Sequence, residues 1–165
     1  MTDEPAVAPP DSRADDPISV TRTIAAPPGR VWGLITDLTR MGEWSPENTG
    51  GRWLGGASGP ALGARFRGTN HAGRRRWSTL VTVSTWEPVA EFGFDVTAAG
   101  FAVARWSYSV GPTDGGCVVT ETFVDRRGKL VRAFGKLLSG TADRGEHNRI
   151  GMEATLAALA AATEG

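Results

Sequence analysis

The chain has 165 residues, 40% of them hydrophobic, with 18 Lys and Arg balanced by 18 Asp and Glu. That is enough chain to bury a core, and a formal net charge of zero leaves no global field to draw the protein to nucleic acid or acidic lipid. The single cysteine, Cys117, cannot form an internal disulfide, and no CxxC or Cys/His cluster points to zinc, so a reducing, cytoplasmic setting without metal or other cofactor is expected.

Residues 1–16 carry Asp3, Glu4, Asp11, Asp15 and Asp16 against Arg13, with Pro5, Pro9 and Pro10. This composition predicts a disordered acidic tail ahead of a single domain over 17–165. The start has no basic segment followed by an apolar run, so it is not read as a signal peptide. No stretch approaches the roughly 18 apolar residues of a membrane span, which argues against integral membrane association.

In "ISVTRTI" (18–24), Ile18, Val20 and Ile24 alternate with Ser19, Thr21 and Thr23, the period of a half-buried strand that Arg22 interrupts. "APPGRVWGLITDL" (26–38) reads as a helix. Pro27 and Pro28 suit its start, and Val31, Leu34, Ile35 and Leu38 share a face. A loop with a helical turn, "GEWSPENTGGRW" (42–53), and a glycine-rich link lead into strands at 64–71, 74–88, 91–97, 102–111 and 117–125. Turns recur about every ten residues, as in an antiparallel meander.

The last forty residues change character. Residues 129–138 place Leu130, Phe134, Leu137 and Leu138 on one face of a basic amphipathic helix ended by Gly140. A long alanine-rich helix follows from Thr141, with Met152, Leu156 and Leu159 on its larger apolar stripe. An antiparallel sheet of this size must wrap something to stay dry, and only the terminal helix is long enough to lie along it.

Six tryptophans are many for one chain: Trp32, Trp44, Trp53, Trp77, Trp86 and Trp106. Each ring has a large apolar body with one donor. In strand 74–86 the odd positions Trp77, Thr79, Val81 and Val83 are the more apolar and are assigned inward. Phe92, Phe94 and Val96 share one face of the next strand, and Trp106, Tyr108 and Val110 share a face of the strand after it. These faces form an aromatic wall around either a solid core or a hollow. Gly151, Ala154, Ala157 and Ala158 on the inner helix leave space and favour the hollow.

Arg65, Asn70, Thr79 and Tyr108 would supply polar groups to a ligand. Glu121 sits between the apolar Val119 and Phe123 of its face. A carboxylate there needs a partner or a raised pKa. The favoured reading is a structural salt bridge, with Arg65 or Arg105 as partner, or an outward-facing side chain. Asp37 reads as a helix-end anchor, His71 as a hairpin-turn residue, and His147 as a capping residue within reach of the cavity rim. The arginines at 74–76 read as a solvated hairpin tip, without the aromatic interleaving of a nucleic-acid site. No GxSxG, HExxH, P-loop or GxGxxG is present.

Together, "APPGRVWGLITDLTRMGEWSPE" (26–47), "GARFRG" with Asn70, "RRWSTLVTV" (75–83), "RWSYSV" (105–110), "GGCVVTETF" (115–123) and "HNRIGMEATLAAL" (147–159) resemble the START/Bet v 1-like superfamily. More narrowly they resemble the SRPBCC group of polyketide cyclase/dehydrase and lipid transport proteins. The resemblance covers about residues 18–163. It implies an α+β helix-grip fold, in which a seven-stranded curved antiparallel sheet wraps around the long C-terminal helix. It also implies a cavity between sheet and helix with segment 39–54 at its mouth. Trp44, Glu47 and Trp53 would then stand at the mouth. Trp77, Thr79, Val81, Phe92, Phe94, Trp106, Tyr108, Glu121, His147, Met152 and Leu156, with Arg65 and Asn70, would contact the ligand.

The function expected is binding, with or without transport, of a hydrophobic small molecule, such as a lipid or polyketide, by a monomer or homodimer. One alternative is a polyketide aromatase/cyclase or dehydratase with Glu47, Glu121 or Tyr108 as its proton-handling groups. Another is a protein-interaction module that uses the acidic tail and basic helix.

Overall fold

The structure is a computed structural model that describes residues 16–128 and 144–164. The acidic tail up to residue 15 and the amphipathic segment 129–138 lie outside the described residues. So does the expected helix start at Thr141.

Seven strands make one antiparallel sheet: β1 (Ile18–Ile24), β2 (Asn48–Trp53), β3 (Arg65–Ala72), β4 (Arg75–Glu87), β5 (Glu91–Ala98), β6 (Phe101–Thr113) and β7 (Gly116–Asp125). Their spatial order is β1-β7-β6-β5-β4-β3-β2. From β2 to β7 each strand pairs with the next in sequence, as the regular turn spacing predicts, and β1 returns to pair with β7. Helix α1 (Pro28–Thr36) and a short 3-10 turn (Met41–Glu43) fill the crossover from β1 to β2. Helix α2 (Arg144–Thr163) packs along the sheet against β1 and β7 and against α1. This is the helix-grip arrangement.

Alternation sets the two faces. Ser19 meets Thr122 and Thr21 meets Thr120 through hydroxyl contacts of 2.8 and 2.9 Å on the outer face, beside the Arg105–Asp95 ion pair. The inner face carries Phe66, Val81, Phe92, Phe94, Tyr108, Val110 and Val119, all buried. On α1, Pro28 occupies the first turn, where a missing N–H costs nothing. Val31, Ile35 and the following Leu38 are buried, as the helical spacing predicts, and Leu34 is half-buried. Asp37 anchors the turn after α1 by accepting from the Thr39 backbone N–H at 3.2 Å.

The loop expected across 42–53 ends in an edge strand that the pattern of side chains conceals. β2 contains Gly50 and Gly51, and its pairing with β3 shifts between Asn48 and Gly51. A Cβ on Gly51 would come 2.1 Å from the Arg67 carbonyl oxygen and 2.6 Å from the Phe66 ring. Only glycine lets the two backbones approach this closely. Alternation cannot be read from residues that carry no side chain.

Candidate functional site

A cavity of about 420 Å³ opens between the inner face of the sheet and the N-terminal half of α2. Its apolar walls come from β3 to β7 and α2. Phe66 and Val81 stand on one side, Phe94 and Val96 in the middle, Trp106 and Phe123 opposite, and Met152 above. Leu38 and Met41 close it from the α1 side. Gly151 and Ala154 leave room where larger side chains on the helix would fill it.

Two polar zones interrupt this surface. At the mouth, His147 from the first turns of α2 meets Glu47 from the loop before β2, with Nε2 and Oε1 2.9 Å apart. Both side chains are half exposed. Ser45, Asn48, Asn148 and Asn70 join them on the lining, and the Asn70 Nδ2 donates weakly to the Thr79 Oγ1 at 3.4 Å. Arg127 also reaches the lining, held by its ion pair with Asp125 at 2.6 Å.

The second zone is deep. Tyr108 and Glu121 are direct cross-strand partners on β6 and β7, so their side chains leave the same face of the sheet side by side. The Tyr108 hydroxyl donates to Glu121 Oε1 at 2.7 Å. Glu121 is 3% exposed, and its Oε2 has no hydrogen-bond partner among the described residues. Burial pushes its carboxyl up from 4.5 to about 7, against the opposing pull of the tyrosine hydrogen bond. Burial, and then the Glu121 charge beside it, drive the Tyr108 hydroxyl well above its ordinary value, so it stays protonated. The pair therefore offers a carboxyl that changes charge near neutrality and a phenol that does not.

This corrects the salt-bridge reading of Glu121. Arg105 lies on the outer face with Asp95, in two hydrogen bonds of 2.8 and 2.9 Å. Arg65 is exposed and one register position away from the inward-facing Phe66, so it cannot reach the cavity. Glu121 faces inward with the uncharged Tyr108 as its neighbour.

Of the residues predicted to contact a ligand, Glu47, Asn70, Trp77, Thr79, Val81, Phe94, Trp106, Tyr108, Glu121, His147 and Met152 line the cavity. Trp44, Trp53, Phe92 and Leu156 do not. Trp44 is buried in the core, with the Arg40 guanidinium 5.8 Å from its ring centre. Trp53 stacks edge-on against Phe66, at 5.2 Å between ring centres. Phe92 is locked among Trp32, Trp86 and Phe94, and Leu156 is fully buried on α2. The tryptophans flanking the short loop thus act as packing behind the wall.

Sequence reasoning placed Val96 on the wall but missed Phe66, Phe123 and Thr155. Strand alternation carried the signal for the first two: Phe66 pairs with Val81, and Phe123 pairs with Trp106. It also missed Arg127, which lies beyond the end of β7, where alternation no longer applies.

Among the described residues no three His, Cys, Asp or Glu side chains come together as a metal site would require. No helix among them is long and apolar enough to cross a membrane.

Comparison with known proteins is consistent with this geometry. Among curated proteins no sequence matches the chain. Of the solved structures it resembles, a polyketide cyclase-like protein of Corynebacterium glutamicum is 31% identical, over 88% of this chain and 87% of that one, with a TM-score of 0.58. A protein of Chromobacterium violaceum at 17% identity matches over 90% and 97% of the two chains, with a TM-score of 0.68. The di-domain ARO/CYC protein StfQ of the steffimycin biosynthetic pathway, at 12% identity, matches 90% of this chain over 50% of its own, with a TM-score of 0.69. The last two likenesses concern the fold alone. The family described as polyketide cyclase / dehydrase and lipid transport matches residues 17–164, and the chain belongs to it.

Proposed function

We propose that the protein binds a largely apolar organic molecule in the cavity between sheet and α2, oriented by an oxygen that meets Glu121. The observation that carries this reading is a cavity of about 420 Å³ with apolar walls and one buried carboxyl oxygen lacking a partner. The volume lies within the range of about 300–1,000 Å³ for small-molecule pockets. Apolar burial supplies affinity at about 25 cal/mol per Å² before the costs of association. An unpaired buried polar atom costs stability, which a ligand group that pairs with it recovers.

The ligand group is specified further by Tyr108. Its hydroxyl occupies Oε1, so the acid proton of Glu121 belongs on Oε2. Below about pH 7 that proton is donated to a carbonyl or ether oxygen. Above it, the carboxylate accepts from a hydroxyl. An aromatic ketone or a polyketide-like ring compound satisfies both the walls and this group.

The same pair favours a second reading, proton transfer on a β-keto compound. A carboxylate of pKa about 7 beside a neutral phenol is suited to take a proton from a carbon next to a carbonyl and return it, the step shared by cyclisation and dehydration chemistry. The cavity would exclude water from the enolate.

Two measurements test these readings. Native mass spectrometry of the protein purified from its own host should retain a lipophilic adduct that Gly151→Leu, which adds bulk to the wall, does not retain. A pure 1,3-diketone incubated in deuterated buffer should exchange its central protons faster with the protein than with Glu121→Gln, as followed by NMR. Retention without exchange supports carriage. Neither retention nor uptake of an apolar fluorescent probe would end both readings.

A further inference from the structure

One hairpin tip is strongly basic. At the mouth end, the β3–β4 tip carries Arg74, Arg75 and Arg76, and Arg126 follows β7; all are exposed. At the opposite end, the β4–β5 tip is flanked by Glu87 and Glu91 and the β6–β7 tip carries Asp114, while Arg52 and Arg65 flank the β2–β3 connection. Antiparallel order puts these tips at opposite ends, because alternate hairpins point to opposite ends of the sheet. A cluster of exposed arginines thereby stands on the sheet side of the cavity mouth, while Glu47 lies on its rim and Glu146 on the helix side.

That end is also greasy. Trp77 is 37% exposed, Ile150 55% and Phe101 61%. Trp77 and Ile150 belong to the lining. Phe101 pairs with Ala98, two residues along β5 from the wall residue Val96, so it prolongs the inner-face row beyond the rim. The apolar surface of the cavity therefore continues outward on the sheet side and the helix side of the mouth, with arginines outside it.

We infer that this end docks on an anionic bilayer, with Trp77, Phe101 and Ile150 entering the interface and Arg74, Arg75, Arg76 and Arg126 facing lipid headgroups. Aromatic rings bounded by arginine match the interfacial layer, where the apolar body is buried and the charge stays at headgroup depth. Convex tips that present single apolar side chains suit a fluid surface better than the shaped pocket of a protein partner. Docking in this pose sets the mouth on the membrane, so an apolar guest moves between bilayer and cavity without crossing water. The inference is independent of which molecule fills the cavity.

The test is co-sedimentation of the full chain with vesicles of phosphatidylcholine doped with phosphatidylglycerol, against phosphatidylcholine alone. Preferential binding to the anionic vesicles that weakens as salt rises is expected. Phe101→Ser should weaken it about fivefold or more through lost apolar burial, and the double charge reversal Arg74→Glu/Arg76→Glu by about tenfold or more. Leu62→Ser, at the opposite end and 70% exposed, is the control and should leave binding unchanged. Thermal melts keep loss of fold apart from loss of docking. The inference is overturned if the anionic vesicles bind no better than neutral ones, or if neither mouth-end variant differs from the control. Retention on immobilised polyglutamate without vesicle binding also overturns it, and points to an acidic protein partner instead.

Discussion

The concave side of the sheet is built in two halves from similar residues, and only one half is filled. Away from the mouth, Trp32, Trp86 and Phe92 pack with ring centres 5.5 to 6.4 Å apart, and α1 lies over them. Toward the mouth, Trp106 and Phe123 are 4.8 Å apart, yet a cavity stands beside them. The aromatic content is alike; the covering differs. The filled half is covered by Trp32 and its neighbours on α1, whereas the hollow half faces Gly151 and Ala154 on α2. A void in this fold is set by the small residues opposite the rings.

The sharpest test of that contrast is the cost of deleting a ring from each half. Phe92→Ala removes a fully buried ring from close-packed neighbours and should lower unfolding free energy by about 3–5 kcal/mol. Phe123→Ala removes a ring that already borders empty space and has fewer atoms to lose contact with, so about 2 kcal/mol is expected. Urea denaturation of both variants checks the difference. Equal losses would mean that the two halves are packed alike.

The next effect is electrostatic and belongs only to the hollow half. The Glu121 carboxyl titrates at about 7 when folded and near 4.5 when free, so the folded state holds the extra proton between those values. Stability is therefore full below about pH 4.5, falls as pH rises to about 7, and is flat beyond it with respect to this group. The span corresponds to about 3 kcal/mol. Denaturation across pH should show this slope for the wild type and not for Glu121→Gln. Tyr108→Phe removes the hydrogen bond that restrains the shift, so its slope should extend to higher pH.

Much of the fold was legible because its cues are local. Turn spacing marked the five strands from 64 to 125, and alternation placed Val81, Phe94 and Tyr108 on one wall. The orientation of Glu121 was harder to read. Its neighbours Val119 and Phe123 put it inward, but a lone carboxylate among them invited a charged partner. The partner is Tyr108, directly across the strands, and recognising it requires the β6–β7 register. Trp44, Trp53 and Phe92 were misplaced for another reason. The resemblance set Trp44 and Trp53 at the mouth and alternation set Phe92 on the inner face, but neither gives the depth of packing, which depends on α1 and the edge strand.

Plugging the hollow half should make it resemble the filled one. At Gly151 a Cβ would meet only Pro46 Cγ, at 3.9 Å, so a larger side chain has room to enter. Gly151→Leu should raise stability by about 1 kcal/mol through helix propensity, while uptake of an apolar fluorescent probe falls more than about tenfold. A variant that binds the probe as well as wild type would show that the guest lies elsewhere.

The smallest effect separates the mouth from the wall. Glu47 and His147 bridge the loop before β2 to the first turns of α2, across the opening of the cavity. Both are about half exposed, and such pairs contribute about 0–1 kcal/mol because water and salt screen them. Glu47→Gln should therefore leave the melting temperature close to that of the wild type. A guest leaving the cavity passes between these two segments, so weakening their link should act on the rate of release more than on affinity. Stopped-flow displacement of a bound probe should give a severalfold faster off-rate in Glu47→Gln. An unchanged off-rate would mean that the guest exits elsewhere, and the solid end of the sheet, where Phe92 is wholly enclosed, offers no such route.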